Sequence, residues 1–162
     1  MPAAELSRTP ANPAVSAGRV FAMGMGGLTA AIDLHAGRRL WERAVGGEDS
    51  PWIAGDWLFV VTLEQILAAL NAADGRVAWA TPLPAYDNPK DETGPLTWFG
   101  PILAGERLVV AGTGKQALAV SPYTGQILGR QRLPAPAAPV QPALAGGLVL
   151  LVAEDGRLIA LR

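Results

Sequence analysis

A single histidine, His35, and the complete lack of cysteine narrow the chemistry this chain can carry. Without cysteine there is no thiolate nucleophile, no disulfide, no thiolate metal site and no lipid-carrying Cys. His35 stands in the turn-like tripeptide His35-Ala36-Gly37 with no second histidine to share a metal or to pair with a serine, so it reads as a surface turn residue. Gly112-Thr113-Gly114-Lys115-Gln116 resembles a phosphate cradle, but Val109 stands where a P-loop needs its first glycine and Gln116 where it needs Ser or Thr; it reads as a hairpin turn. Met23-Gly24-Met25-Gly26-Gly27 likewise departs from the dinucleotide fingerprint and precedes no helix. Asp56, Asp74, Glu106 and Asp155 fall at turns, where a solvated carboxylate is the simplest reading. No catalytic base, metal ligand or cofactor-binding residue is assigned, and the sequence predicts a protein that is not an enzyme and carries no cofactor.

Recognition chemistry has a better address. Residues 84–95, PAYDNPKDETGP, are polar, acidic and rich in proline, with one aromatic among charges. Tyr86, Asp87, Lys90, Asp91 and Glu92 are the candidates for contact with a partner protein. Of the five tryptophans, Trp41 and Trp79 recur at one repeat position and read as core, whereas Trp52, Trp57 and Trp98 are less constrained. Trp57 replaces Arg19 and Arg107 of the sister copies at a strand start, and partial exposure is expected for it.

These residues are placed by a repeat. Four segments align without a gap, beginning at Pro13, Pro51, Pro101 and Pro142. Seven residues after each proline comes an apolar residue, Val20, Leu58, Leu108 or Val149, heading a run suited to a buried strand. Eighteen residues after it comes alanine, at Ala31, Ala69, Ala119 and Ala160, each followed by a larger apolar residue. A turn follows with Gly37, Gly75 or Gly125 at constant offset, where positive φ is required. Four residues further stand Trp41 and Trp79, with Gly129 in the third copy. The unit is a four-stranded meander, one blade of a propeller. Residues 62–70, with Leu63, Ile66, Leu67 and Leu70 at helical spacing and Thr62 as an N-cap, would read as a helix alone. Their register in the repeat assigns them to a hairpin and third strand instead.

The predicted organisation is a segment 1–12, then repeats over 13–162 with blades at about 13–47, 50–83, 100–134 and 141–162, the last incomplete. The repeat prolines are 38, 50 and 41 residues apart. The surplus falls in an inserted inter-blade loop, 84–98, and insertions of this kind often sit on a binding face. Thirteen basic against fourteen acidic residues give a net charge of −1, too balanced for the electrostatics that nucleic-acid binding depends on. Half the residues are hydrophobic, yet no apolar run approaches the ~18 residues of a membrane span.

The signatures AIDLHAGRRLW and ALNAADGRVAW resemble the pyrroloquinoline-quinone-like (PQQ-like) repeat family. The order of blades, with the inserted loop and the closing DGRLIALR, is similar to the C-terminal half of the outer-membrane protein assembly factor B (BamB) lipoprotein type. That resemblance implies an all-β fold, a partial β-propeller of about four four-stranded antiparallel blades, half of an eight-bladed PQQ-like ring. It further implies a non-catalytic scaffold whose partner is the outer-membrane β-barrel assembly machinery, located in the periplasm or on the periplasmic face of the outer membrane. The opening residues show neither export signal nor lipidation Cys, so a cytoplasmic location is expected for the chain expressed as given. The same repeat occurs in quinone-dependent dehydrogenases. The Asp base, the Glu/Asn calcium pair and the adjacent cysteines that this second resemblance would require map onto no residues here.

An arc of four blades leaves two apolar faces open. Losing several hundred Å² of contact at each costs roughly 10 kcal/mol or more at ~25 cal/mol per Å². That rivals a domain's stability of about 5–15 kcal/mol. The expectation is a fragment or truncated gene product, or two copies completing one another, with self-association through the open blade faces.

Overall fold

The computed structural model describes residues 11–24 and 26–162, so the opening ten residues of the expected N-terminal segment lie outside it. Each repeat folds as an antiparallel meander. The first sheet runs β1 (Ala14–Ser16), β2 (Arg19–Gly24), β3 (Leu28–Asp33), β4 (Arg39–Arg43), and the second β5 (Trp52–Ala54), β6 (Trp57–Val61), β7 (Ile66–Asn71), β8 (Val77–Pro82). A two-stranded hairpin, β9 (Tyr86–Asn88) and β10 (Thr93–Pro95), follows. The third sheet is β11 (Trp98–Ala104), β12 (Arg107–Gly112), β13 (Gln116–Val120), β14 (Ile127–Arg132), and the fourth has three strands, β15 (Ala143–Ala145), β16 (Leu148–Val152), β17 (Leu158–Leu161). The stretch with the helical stripe is a hairpin turn at 62–65 followed by strand β7, as the repeat requires. Thr62 Oγ1 accepts from the Ile66 N–H at 3.2 Å, closing a turn rather than capping a helix.

The turns explain the glycines. In all four sheets the first two strands are joined by two residues, of which 17–18 and 146–147 both have positive φ, the hairpin geometry matching the twist of the strands. Between the third and fourth strands, Gly37, Gly75 and Gly125 have φ of 65, 72 and 72°. Side chains brace these turns. Asp33 Oδ1 accepts from the N–H groups of Ala36 (2.7 Å) and His35 (3.0 Å), which hold that carboxyl below its ordinary range. Asn71 and Ser121 do the equivalent in the next two sheets.

The apolar core is divided among the sheet-to-sheet boundaries. Leu58 and Val60 of β6 pack toward Phe21, Met23 and Trp41 of the first sheet. Their neighbours Phe59 and Val61 pack toward Leu108, Val110 and Leu118 of the third. Phe99, Ile102 and Ala111 then meet Val149 and Leu151 of the fourth. Period-two alternation thus lets an inner sheet bury both faces, one against each neighbour. The first strands of successive sheets lie side by side, β1 by β5, β5 by β11 and β11 by β15, giving a radial series, a partial propeller.

The recurring alanine has a direct function. Ala31 lies opposite Trp41 and Ala69 opposite Trp79 in the strand register, with an irregularity immediately after each. The small residue leaves room for the indole, which leans onto the next sheet. Trp41 Nε1 donates to Ala72 O at 3.0 Å and Trp79 Nε1 to Pro122 O at 3.0 Å. The turn glycines accept the rings closely: a Cβ on Gly75 would lie 2.7 Å from Trp41 Cε3, and one on Gly125 2.4 Å from Trp79 Cε3. Gly129, at the Trp position of the third sheet, has open space around it.

Candidate functional site

The inserted connection is ordered by what it packs on. Trp98 Nε1 donates to Pro84 O at 2.8 Å and Leu96 N to Ala85 O at 2.9 Å, pinning both ends of the excursion. Leu96 and Trp98 are buried and rest on the β12–β13 turn, where glycine is needed: a Cβ on Gly114 would lie 2.5 Å from Leu96 Cδ2, and one on Gly112 2.8 Å from Trp98 Cε3. The glycines that imitate a phosphate loop are therefore the seat of the insertion, in the turn that the repeat register assigns. Trp98, 1% exposed, is a core residue and not a loosely held one. It begins β11 and has no counterpart in the sister copies, so the repeat carried no signal for it.

Within the insertion, Tyr86 is half-buried on β9, while Asp87, Lys90, Asp91 and Glu92 are exposed. The tip is braced locally. Asn88 Nδ2 donates to Asp91 Oδ2 at 2.7 Å, and Asn88 Oδ1 accepts from Lys90 N at 3.1 Å. Glu92 and Gly94 take positive φ, turning the chain back as a hairpin where sequence reasoning placed a loop. Lys90, Asp91 and Glu92 sit at its apex, apart from Asp87, which faces the third sheet.

Between hairpin and third sheet lies a groove of about 840 Å³. Asp87 and Gly94 form one wall, and Lys115, Arg130 and Arg132 line the other. Among the described residues the ion pairs are Arg39–Glu42, Arg76–Asp74 and Arg157–Asp155, so the three groove cations are in none of them. β14, which carries Arg130 and Arg132, ends its sheet, and among the described residues no strand pairs with its outer edge. The arrangement can bind an extended, carboxylate-bearing polypeptide, with backbone pairing along the edge and cations for the side chains. These cations escaped the sequence reading because only the fold brings residues 115, 130 and 132 to the insertion.

Lys115 has φ +57°, and so does its counterpart Gln65 at +60°; Gly27 and Gly156 hold the same repeat position at +83 and +84°. In both non-glycine cases the backbone carbonyl accepts from the segment leaving the sheet, Leu83 N at 2.9 Å and Leu133 N at 2.8 Å. Gln65 Oε1 also accepts from Trp98 N at 2.5 Å, whereas Lys115 is left to face the groove.

A second cluster ties the connections together on the inner side. Gln141 Nε2 donates to Ser50 O (2.9 Å) and Pro101 O (3.1 Å), and Asp49 Oδ2 accepts from Gly100 N at 2.7 Å. Burial pushes the Asp49 carboxyl above its ordinary value; the Gly100 N–H pulls it down and nearby Glu48 adds to the rise. Ionised Asp49 therefore opposes folding above its folded-state value, and that opposition fades as pH falls toward the unfolded value of about 4. Asp49→Asn keeps an acceptor for Gly100 and is expected to raise the thermal midpoint at pH 7 by about 1–3 °C. The gain should vanish below about pH 4, which melting curves at the two pH values would show.

Comparison with known proteins places this geometry. The family model described as outer membrane protein assembly factor BamB matches residues 1–81 and 87–162. The chain is 28% identical over 152 residues to outer membrane protein assembly factor BamB of Alkalilimnicola ehrlichii, covering 94% of this chain and 37% of that protein. It thus spans little more than a third of the curated relative's length. The crystal structure of BamB from Moraxella catarrhalis superposes with a TM-score of 0.78 at 15% identity, over 93% of this chain and 42% of that one. Quinohemoprotein alcohol dehydrogenase from Comamonas testosteroni shares the fold with a TM-score of 0.62 at 19% identity, over 75% of this chain and 20% of that one.

Proposed function

Because the chain belongs to the family of the outer membrane protein assembly factor BamB, we propose that it is a non-catalytic propeller scaffold that binds a protein of the outer-membrane β-barrel assembly machinery. The observation that carries this reading is the groove between hairpin β9–β10 and the third sheet, where Lys115, Arg130 and Arg132 lie beside an unpaired strand edge. An extended partner segment adds to β14, its acidic side chains meeting the cations, while Tyr86, Asp87, Lys90, Asp91 and Glu92 contact the partner from the hairpin. The work is done on the periplasmic face of the outer membrane. No helix among the described residues is long and apolar enough to cross a membrane. The face of the fourth sheet turned away from the third carries exposed Val152 and Leu158, which favours contact with further blades, from the same gene or a second copy.

Capture of assembly-machinery proteins by the tagged chain tests the reading. Arg130→Glu with Arg132→Glu should reduce capture at least tenfold, each close charge pair contributing about 1.5 kcal/mol or more, and Tyr86→Ala with Asp87→Ala and Asp91→Ala should reduce it several-fold through the lost hairpin contacts. Undiminished capture by both variants would refute the site. The dehydrogenase-type reading rests on the shared fold with the quinohemoprotein. Its metal needs converging carboxylate or amide donors, and among the described residues no three His, Cys, Asp or Glu side chains converge. The residues present do not fit that group.

A further inference from the structure

The boundary between the second and third sheets departs from the repeat at three positions that meet in space. Trp57 stands where sister copies have Arg19 and Arg107. Ala78 stands where they have Leu40 and Leu128, and Tyr123 where they have His35 and Ala73. All three line one cavity of about 260 Å³, together with Phe59, Trp79 and Glu106. The truncation at Ala78 opens space, and the two added aromatics wall it. The effect on Trp79 is visible: Trp41 and Trp79 dock identically on the following turn, yet Trp41 is 7% exposed while Trp79 is only half-buried. Trp57 is 40% exposed and Tyr123 76%, so the mouth of the cavity is aromatic.

Charge decides what fits. Among the described residues Glu106 is the one ionisable carboxylate in the lining, and no Lys, Arg or His lines the cavity. Aromatic rings carry a negative quadrupole on their faces, so three aromatics beside a carboxylate favour a cation whose surface is apolar. A hydrated inorganic ion gains little from ring faces, and an anion is repelled by them and by the carboxylate. We propose that this cavity is a binding site for an organic cation with apolar substituents, a quaternary ammonium or a guanidinium, walled by Trp57, Trp79 and Tyr123 and neutralised by Glu106. The site is separate from the groove at the inserted hairpin, and neither depends on the other.

The test follows the indole Nε1–H signals of Trp57 and Trp79 by NMR on the 162-residue chain, titrated with choline, with its neutral isostere 3,3-dimethylbutan-1-ol and with N-acetyl-argininamide. Choline or the arginine derivative should shift both signals with an affinity on the order of millimolar, at least tenfold tighter than the isostere. Preference for choline identifies a free quaternary ammonium as the source, and preference for the arginine derivative a peptide side chain. Trp57→Arg and Ala78→Leu insert residues that sister copies carry at those positions, so the fold is kept, and each should abolish binding. Glu106→Gln should weaken it several-fold. Equal affinity for the isostere, unmoved indole signals with both cations, or unchanged binding by Ala78→Leu would overturn the proposal.

Discussion

Trp41→Ala is expected to destabilise the chain by about 3–5 kcal/mol, the cost of deleting a buried large aromatic side chain. Trp41 is 7% exposed, sits in the cluster shared by the first two sheets and donates to Ala72 O across the boundary. Its loss leaves a cavity, and it leaves a carbonyl without its indole partner. Against a stability of about 5–15 kcal/mol, that is a large fraction. Urea denaturation gives the total, and hydrogen exchange gives the location: β1–β4 should lose protection before β11–β14, since the cluster between the second and third sheets is untouched. Trp57→Ala, at a position 40% exposed, should cost about 1 kcal/mol.

Alanine at the three equivalent turn glycines should have unequal effects. Gly37, Gly75 and Gly125 share nearly the same positive φ, so each substitution bears a left-handed penalty of about 1–2 kcal/mol. At Gly37 nothing lies within 4 Å of the new methyl group, and the cost should end there. At Gly125 that methyl would meet Trp79 Cε3 at 2.4 Å and Thr81 Oγ1 at 2.5 Å. At Gly75 it would meet the Trp41 ring at 2.7 Å. Overpacking adds about 1–3 kcal/mol to both. Denaturation midpoints of the three variants should therefore rank Gly37→Ala well above the other two.

The meanders were legible because fixed offsets of proline, alanine and glycine report a constraint repeated in each copy. The alanine opposite the tryptophan, and the glycine one sheet further on, are one contact seen from two sides. That agreement outweighs the helical stripe over 62–70, of which Leu67 and Leu70 serve the two neighbouring sheets and Leu63 is exposed in the turn, instead of sharing one helix face. Two features present in one copy only were not legible. Trp98 follows the insertion and lacks sisters, and Asp49 meets Gly100 from 51 residues away. The insertion read as a loop because Pro84, Pro89 and Pro95 mask its short strands. Its residues were named as partner contacts from composition, whereas the wall that faces them, Lys115, Arg130 and Arg132, belongs to an ordinary blade edge and comes into view only once the third sheet is assembled.

A double-mutant cycle on Trp41 and Gly75 is the most direct measure of whether each sheet seats its tryptophan on the next sheet's turn. With the indole gone, the methyl group of Gly75→Ala has no ring to displace. In the Trp41→Ala background it should cost no more than Gly37→Ala, a coupling of about 1–3 kcal/mol. A Gly75→Ala penalty of the same size in both backgrounds would mean that ring and turn are not in contact, and the docking of one blade on the next would have to be explained otherwise.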